Sequence, residues 1–179
     1  MTGREVIKST PGLTQSLQAA PQDGPLTPEN IIRIAARHLP ENTIICDESL
    51  SAHWPYPNLA HDGRFHDYLW QAAGPESSML SISLGVAIAS PGRKVLCLAA
   101  GGSAMDNLLA LRIIARGNLD ITMVMYSHAA EAVRQRWHWQ TIAAEIGLEA
   151  SCVATLEDFN QHFSKAIGRK GAFLVEAVL

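Results

Sequence analysis

Among the acids and histidines of this 179-residue sequence, Glu76 and His128 fall in loops where a pocket is expected and have types suited to proton transfer. A carboxylate beside an imidazole raises the imidazole pKa and orients the ring as a base. If both face one cavity, they form a catalytic acid–base pair able to move a proton on a bound substrate. The competing reading leaves them as solvated loop residues. Glu48, Asp106, Ser127 and Glu131 fall in or beside the same loops and are assigned to the wall of a substrate pocket. Gly102 and Ser103 stand at a helix start, whose free N–H groups can receive a phosphate or carboxylate. Ser103 fits an ordinary N-cap as well. Cys46, Cys97 and Cys152 and the histidines of the 53–66 stretch lack metal-ligand spacing, so no metal site is expected.

The elements that must position these residues alternate along the chain. Thr27-Pro28-Glu29 starts a helix running to about His38, with Thr27 as cap and Pro28 in the first turn. Thr43–Cys46 reads as a buried strand ending at Asp47-Glu48-Ser49, and Tyr68-Leu69-Trp70 as a short extended piece. A helix over Glu76–Ala89 stops at Ser90-Pro91-Gly92, and a strand follows over Lys94–Ala99. Further helices are expected over about Ala104–Arg116, over most of Ala129–Ile146 and over Leu156–Ile167. Strands are expected over Asp120–Tyr126, Ser151–Ala154 and Ala172–Val178. The strands are short continuous apolar runs, as when helices cover both faces of a parallel sheet. The fold class is therefore α/β, a doubly wound, mostly parallel sheet with helices on both faces. Its ligands belong outside the carboxyl ends of the strands. Residues 1–26 read as a flexible arm, and 27–179 as a single domain.

Composition narrows the partners. Hydrophobic residues make up 47% and charged residues 17%, an ordinary globular balance. The net charge of −3 gives no electrostatic footprint for nucleic acid. No apolar run reaches the roughly 18 residues of a membrane span, and no signal-peptide core is visible. A cytoplasmic protein without nucleic-acid or membrane partners is expected, with all three thiols buried and free. The Arg134, Arg136, Trp137, His138, Trp139 cluster suits burial against a second subunit, since Trp and Arg are enriched at interfaces. At least a homodimer is expected.

Several short stretches carry a resemblance by their order and spacing. Leu26-Thr27-Pro28-Glu29, Asp47-Glu48-Ser49, Ala72-Ala73-Gly74, Gly102-Ser103-Ala104-Met105 and Leu174-Val175-Glu176-Ala177-Val178 resemble the C-terminal domain of the thiamine-diphosphate enzymes, of the acetolactate synthase and benzoylformate decarboxylase type. The resemblance covers about 26–179 and implies the thiamine-diphosphate-binding fold. In that family a Gly-Asp-Gly-Ser stretch and a pair of Asn residues supply Mg²⁺ ligands, and the metal clamps the diphosphate at a helix N-terminus. The matching positions here are Ala100-Gly101-Gly102 and Ser127-His128. The metal-binding Asp has become Gly101, and an imidazole suits Mg²⁺ poorly. Glu76 stands where the family has a bulky apolar residue beneath the cofactor, and the segment that covers the cofactor is largely missing after His128.

The resemblance thus implies a degenerate copy of that domain, with Gly102 and Ser103 as a vestigial diphosphate site. The family's second domain supplies the Glu that activates the aminopyrimidine, and nothing in residues 1–26 replaces it. No cofactor is expected for the unaided chain. Thiamine diphosphate and Mg²⁺ would need a partner or shifted ligands such as Asp106 or Asn107. The favoured expectation is a repurposed, cofactor-independent enzyme acting on a small molecule by proton-transfer, lyase or cyclisation chemistry. The alternatives are half of a split thiamine-diphosphate-dependent decarboxylase or synthase, with a separate pyrimidine-domain subunit, or a non-catalytic subunit of one.

Overall fold

A computed structural model describes residues 24–48, 66–70, 78–101, 107–128 and 138–179. Helix α1 (Pro28–His38) begins as its residues dictate. The Thr27 hydroxyl accepts from Asn30 N at 3.2 Å, Glu29 lies in the first turn, and Arg37 and His38 lie in the last. It ends at Leu39, whose extended backbone is the conformation that a following proline imposes. Strand β1 (Ile44–Asp47) is buried throughout. Then come β2 (Asp67–Trp70), α2 (Met79–Ala89), β3 (Val95–Ala100), α3 (Leu108–Gly117) and β4 (Ile121–Ser127). Helix α4 (Trp139–Glu145), β5 (Ala150–Val153), α5 (Leu156–Gly168) and β6 (Phe173–Val178) complete the order.

The six strands pair in the order β2-β1-β3-β4-β6-β5, every pairing parallel. Alternate residues of each strand feed two cores. Ile45, Leu96, Leu98, Val124 and Val175 meet α1 and α5 on one face. Cys46, Val95, Cys97, Met123, Met125 and Leu174 meet α2, α3 and α4 on the other. This is the doubly wound α/β sheet expected from the apolar runs, and Met123 and Met125 are fully buried core residues.

The strand order sets a switch point. From β1 the chain steps outward to β2, whereas from β3 it steps the opposite way to β4. The strand order therefore reverses between β1 and β3, the place where doubly wound sheets receive ligands. At the opposite edge Lys94 locks the sheet, its Nζ 2.5 Å from Asp120 Oδ1 and 2.5 Å from the Arg169 carbonyl.

Three expectations need correction. Cys152 is exposed: β5 is the last strand in the sheet order, and among the described residues only β6 pairs with it. Trp139 is not held for a second subunit; it is 1% exposed within its own chain. The helix expected over most of 129–146 is interrupted at His138, which is extended, and α4 starts after it. Residues 129–137 lie outside the described residues, as do 76–77 and 102–106 of the other expected helices.

Candidate functional site

The carboxyl end of β1 places two acids differently. Asp47, nearly buried, points to the α1–α5 face, where its Oδ2 accepts from the Tyr68 hydroxyl at 2.5 Å. Burial pushes the Tyr68 phenol well above its ordinary range, and the bond to Asp47 and its negative charge add to the rise. Tyr126, from β4, shares that environment. Burial, then the charge of Asp47, raises its phenol too, and its buried hydroxyl has no hydrogen-bond partner among the described residues. Glu48 continues along β3, its N–H donating to the Leu98 carbonyl. Its Oε2 accepts from Met79 N at 2.7 Å, at the first residue of α2. Ser78 makes no side-chain cap there, so Glu48 satisfies a helix N–H that Ser78 leaves open.

The carboxyl end of β3 is closed over Gly101. A Cβ built on Gly101 would stand 2.7 Å from the Tyr126 carbonyl oxygen, 2.9 Å from Trp139 Nε1 and 3.0 Å from Ser127 Oγ. Those distances leave no room for any side chain at this position. Trp139 from α4 and Ser127 from β4 fill the space that an aspartate would use.

A third group lies between β4, β6, β5 and α4. Glu176 is 1% exposed in the middle of β6. Its Oε1 accepts from Ser127 Oγ at 3.1 Å and its Oε2 from Gln140 N at 3.3 Å. His138 Nδ1 stands 3.6 Å from Oε1, an ion pair when the ring is protonated. Cys152 faces Glu176 across β5 and β6 in register. Burial raises its thiol pKa, and the Glu176 charge and hydrogen bond add to it.

The residues expected from sequence divide accordingly. Glu48 and Ser127 are at the carboxyl edge, but both carry structural hydrogen bonds, to α2 and to Glu176. They are anchors of the edge before they are pocket wall. His128 is exposed immediately beyond β4. Glu76, Gly102, Ser103, Asp106 and Glu131 lie outside the described residues, so the Glu76–His128 juxtaposition does too. Asn107 accepts from Ser81 Oγ at 2.5 Å, an α2–α3 link. Sequence reasoning missed Glu176, Asp47, Tyr68 and the inward turn of Trp139. One signal was available, because Phe173-Leu-Val-Glu176-Ala-Val places a single acid inside an apolar strand, and a buried charge needs partners.

Comparisons with known proteins bear on this edge. The model of the thiamine pyrophosphate enzymes' C-terminal TPP-binding domain matches residues 51–137. The chain is 28% identical over 181 residues to IlvX of Mycobacterium tuberculosis, a protein named for the acetolactate synthase large subunit. That match covers 87% of this chain and 35% of the relative. Among solved structures, it resembles a thiamine diphosphate-dependent 4-hydroxybenzoylformate decarboxylase of Rhodococcus jostii RHA1. There the TM-score is 0.69 and the identity 21%, over 86% of this chain and 32% of that one. It also resembles benzoylformate decarboxylase of Polynucleobacter necessarius, with TM-score 0.65 and 14% identity, over 87% of this chain and 35% of that one. These likenesses establish the fold. The chain spans about a third of the length of the proteins it matches.

The expectation of no cofactor is overturned by the match over 51–137, which is to a cofactor-binding domain. That expectation rested on Gly101 and His128, and further on Glu76, on the short segment after His128 and on the Glu that the family's second domain supplies. A metal clamp does not fit at Gly101, which offers no ligand and no space for one. No described helix is long and apolar enough to cross a membrane.

Proposed function

We propose that this chain, whose residues 51–137 match the C-terminal TPP-binding domain of the thiamine pyrophosphate enzymes, forms the diphosphate-side wall of a cofactor site whose pyrimidine side comes from a second domain. The completed site would make or break a carbon–carbon bond beside the carbonyl of a small 2-oxo acid. One observation carries the reading: the edge that ends in Glu48 and Gly101 lies at the switch point between β1 and β3 and borders or falls within the matched segment. With Gly101 packed against Trp139, the diphosphate hold here uses no oxygen ligand at that position. Glu76 and His128 are the proton-handling pair of this proposal, with Gly102 and Ser103 toward the diphosphate. Residues 27–179 act as one domain that self-associates.

The filled space at Gly101 favours a second reading, a non-catalytic subunit that stabilises a related enzyme. Titrating thiamine diphosphate into the isotopically labelled chain, with the amides of the carboxyl edge as reporters, tests the site itself. Turnover of a 2-oxo acid after pairing with a pyrimidine-side domain separates the two readings. A catalytic wall supports that turnover and loses it in His128→Ala, whereas a purely stabilising subunit supports none.

A further inference from the structure

We propose that His138, Cys152 and Glu176 form a binding site for a divalent transition-metal ion of the zinc class. His138 Nδ1, Cys152 Sγ and a Glu176 carboxylate oxygen all lie within 4.8 Å of one another. That separation lets one ion reach all three with small side-chain rotations. The three come from different elements, and the fold brings them together for separate reasons. Cys152 and Glu176 are register partners on adjacent parallel strands, so their side chains leave the sheet on the same face. His138 arrives over that face because α4 begins there, its Gln140 N–H held by Glu176 Oε2 at 3.3 Å.

The donor set selects the metal. A thiolate, an imidazole and a carboxylate suit Zn²⁺ or Co²⁺ and disfavour Mg²⁺, which prefers oxygen alone. Three protein ligands leave a fourth tetrahedral position, and the exposure of His138 and Cys152 opens it to water or a small ligand. The carboxylate is already oriented, since Ser127 Oγ and Gln140 N bind its two oxygens. A divalent ion would also compensate a buried charge to which, among the described residues, no Lys or Arg forms an ion pair. As the metal–sulfur bond forms, the Cys152 thiol proton passes to solvent, with no change of oxidation state. Sequence spacing could not show this site, because no two of the three residues are closer than fourteen positions apart.

The test is a titration of Co²⁺, then Zn²⁺, into tag-free, chelator-treated full chain, read by electronic absorption. We expect one Co²⁺ per chain, visible bands of tetrahedral coordination and a sulfur-to-cobalt charge-transfer band, all displaced by Zn²⁺. Cys152→Ser should abolish the charge-transfer band, and His138→Ala should weaken binding. Ser127→Ala, which removes a hydrogen bond to a ligand, should weaken it by about 10–100-fold. Cys152 is exposed, so its serine variant should keep the wild-type far-ultraviolet dichroism. A charge-transfer band that persists in Cys152→Ser, or no Co²⁺ bound at tenfold excess, overturns the proposal.

Discussion

The indole Nε1 of Trp139 lies 2.9 Å from the point where a Cβ on Gly101 would stand. The indole therefore occupies space that a side chain at position 101 would need. Substituting Gly101 by Ala should destabilise the chain by about 1–3 kcal/mol through overpacking. Gly101→Asp should cost more, because the carboxylate would be buried among groups already committed. Urea denaturation of Gly101→Ala alone and with Trp139→Leu checks the pairing. The double variant should recover part of the loss, with a coupling of about 0.5–3 kcal/mol. Strict additivity would show that the two do not share the space.

Glu48 caps α2 from another element, 31 positions upstream. Glu48→Ala should lower stability by about 0.5–2 kcal/mol, the range for a lost helix cap. Glu48→Gln keeps an acceptor oxygen and should cost less. Chemical denaturation of both variants orders them, and equal losses would assign the effect to charge instead of the Met79 hydrogen bond.

Much of this arrangement is legible in the residues. Thr27-Pro28-Glu29 starts α1, and the apolar runs Val95–Ala100 and Ile121–Ser127 become the central strands. Period and capping are local, so sequence carries them. The uses of Trp139, Glu48 and Glu176 are not local. Trp139 inside a basic and aromatic cluster has the composition of an interface, yet α4 folds it back over Gly101. Cys152 has the apolar surroundings of a buried strand, and only the strand order reveals that β5 is an edge. Glu48 looks like a pocket acid until α2 is placed beside it.

The thiols differ sharply in access. Cys46 and Cys97 are fully buried, whereas Cys152 is exposed. An aromatic disulfide reagent should modify one thiol per native chain and all three after denaturation. The native reaction should be slower than that of an unhindered thiol, since burial and Glu176 raise the Cys152 pKa and lower its thiolate fraction. Cys152→Ser should leave no fast-reacting thiol.

Alkaline stability follows from the same burial. Desolvation, then the charge of Asp47, pushes the Cys46 thiol from 9.0 up to about 12. The folded chain holds this proton more tightly than the unfolded chain does. Its contribution is fully present below pH 9.0 and is lost as pH rises towards about 12. Cys97 and Tyr68 shift in the same direction. Urea midpoints should therefore fall above pH 9.0, and Cys46→Ala should flatten the fall. A midpoint that does not move across this range would contradict the assignment.

The cofactor-facing role of the edge between β1 and β3 is tested most directly by amide resonances during titration with thiamine diphosphate, with Mg²⁺ and again with a chelator. Shifts concentrated at Glu48, Gly101, Ser127 and His128, of similar midpoint in both series, are the expected result. Shifts scattered over the surface, or none at millimolar cofactor, would contradict the diphosphate-side assignment.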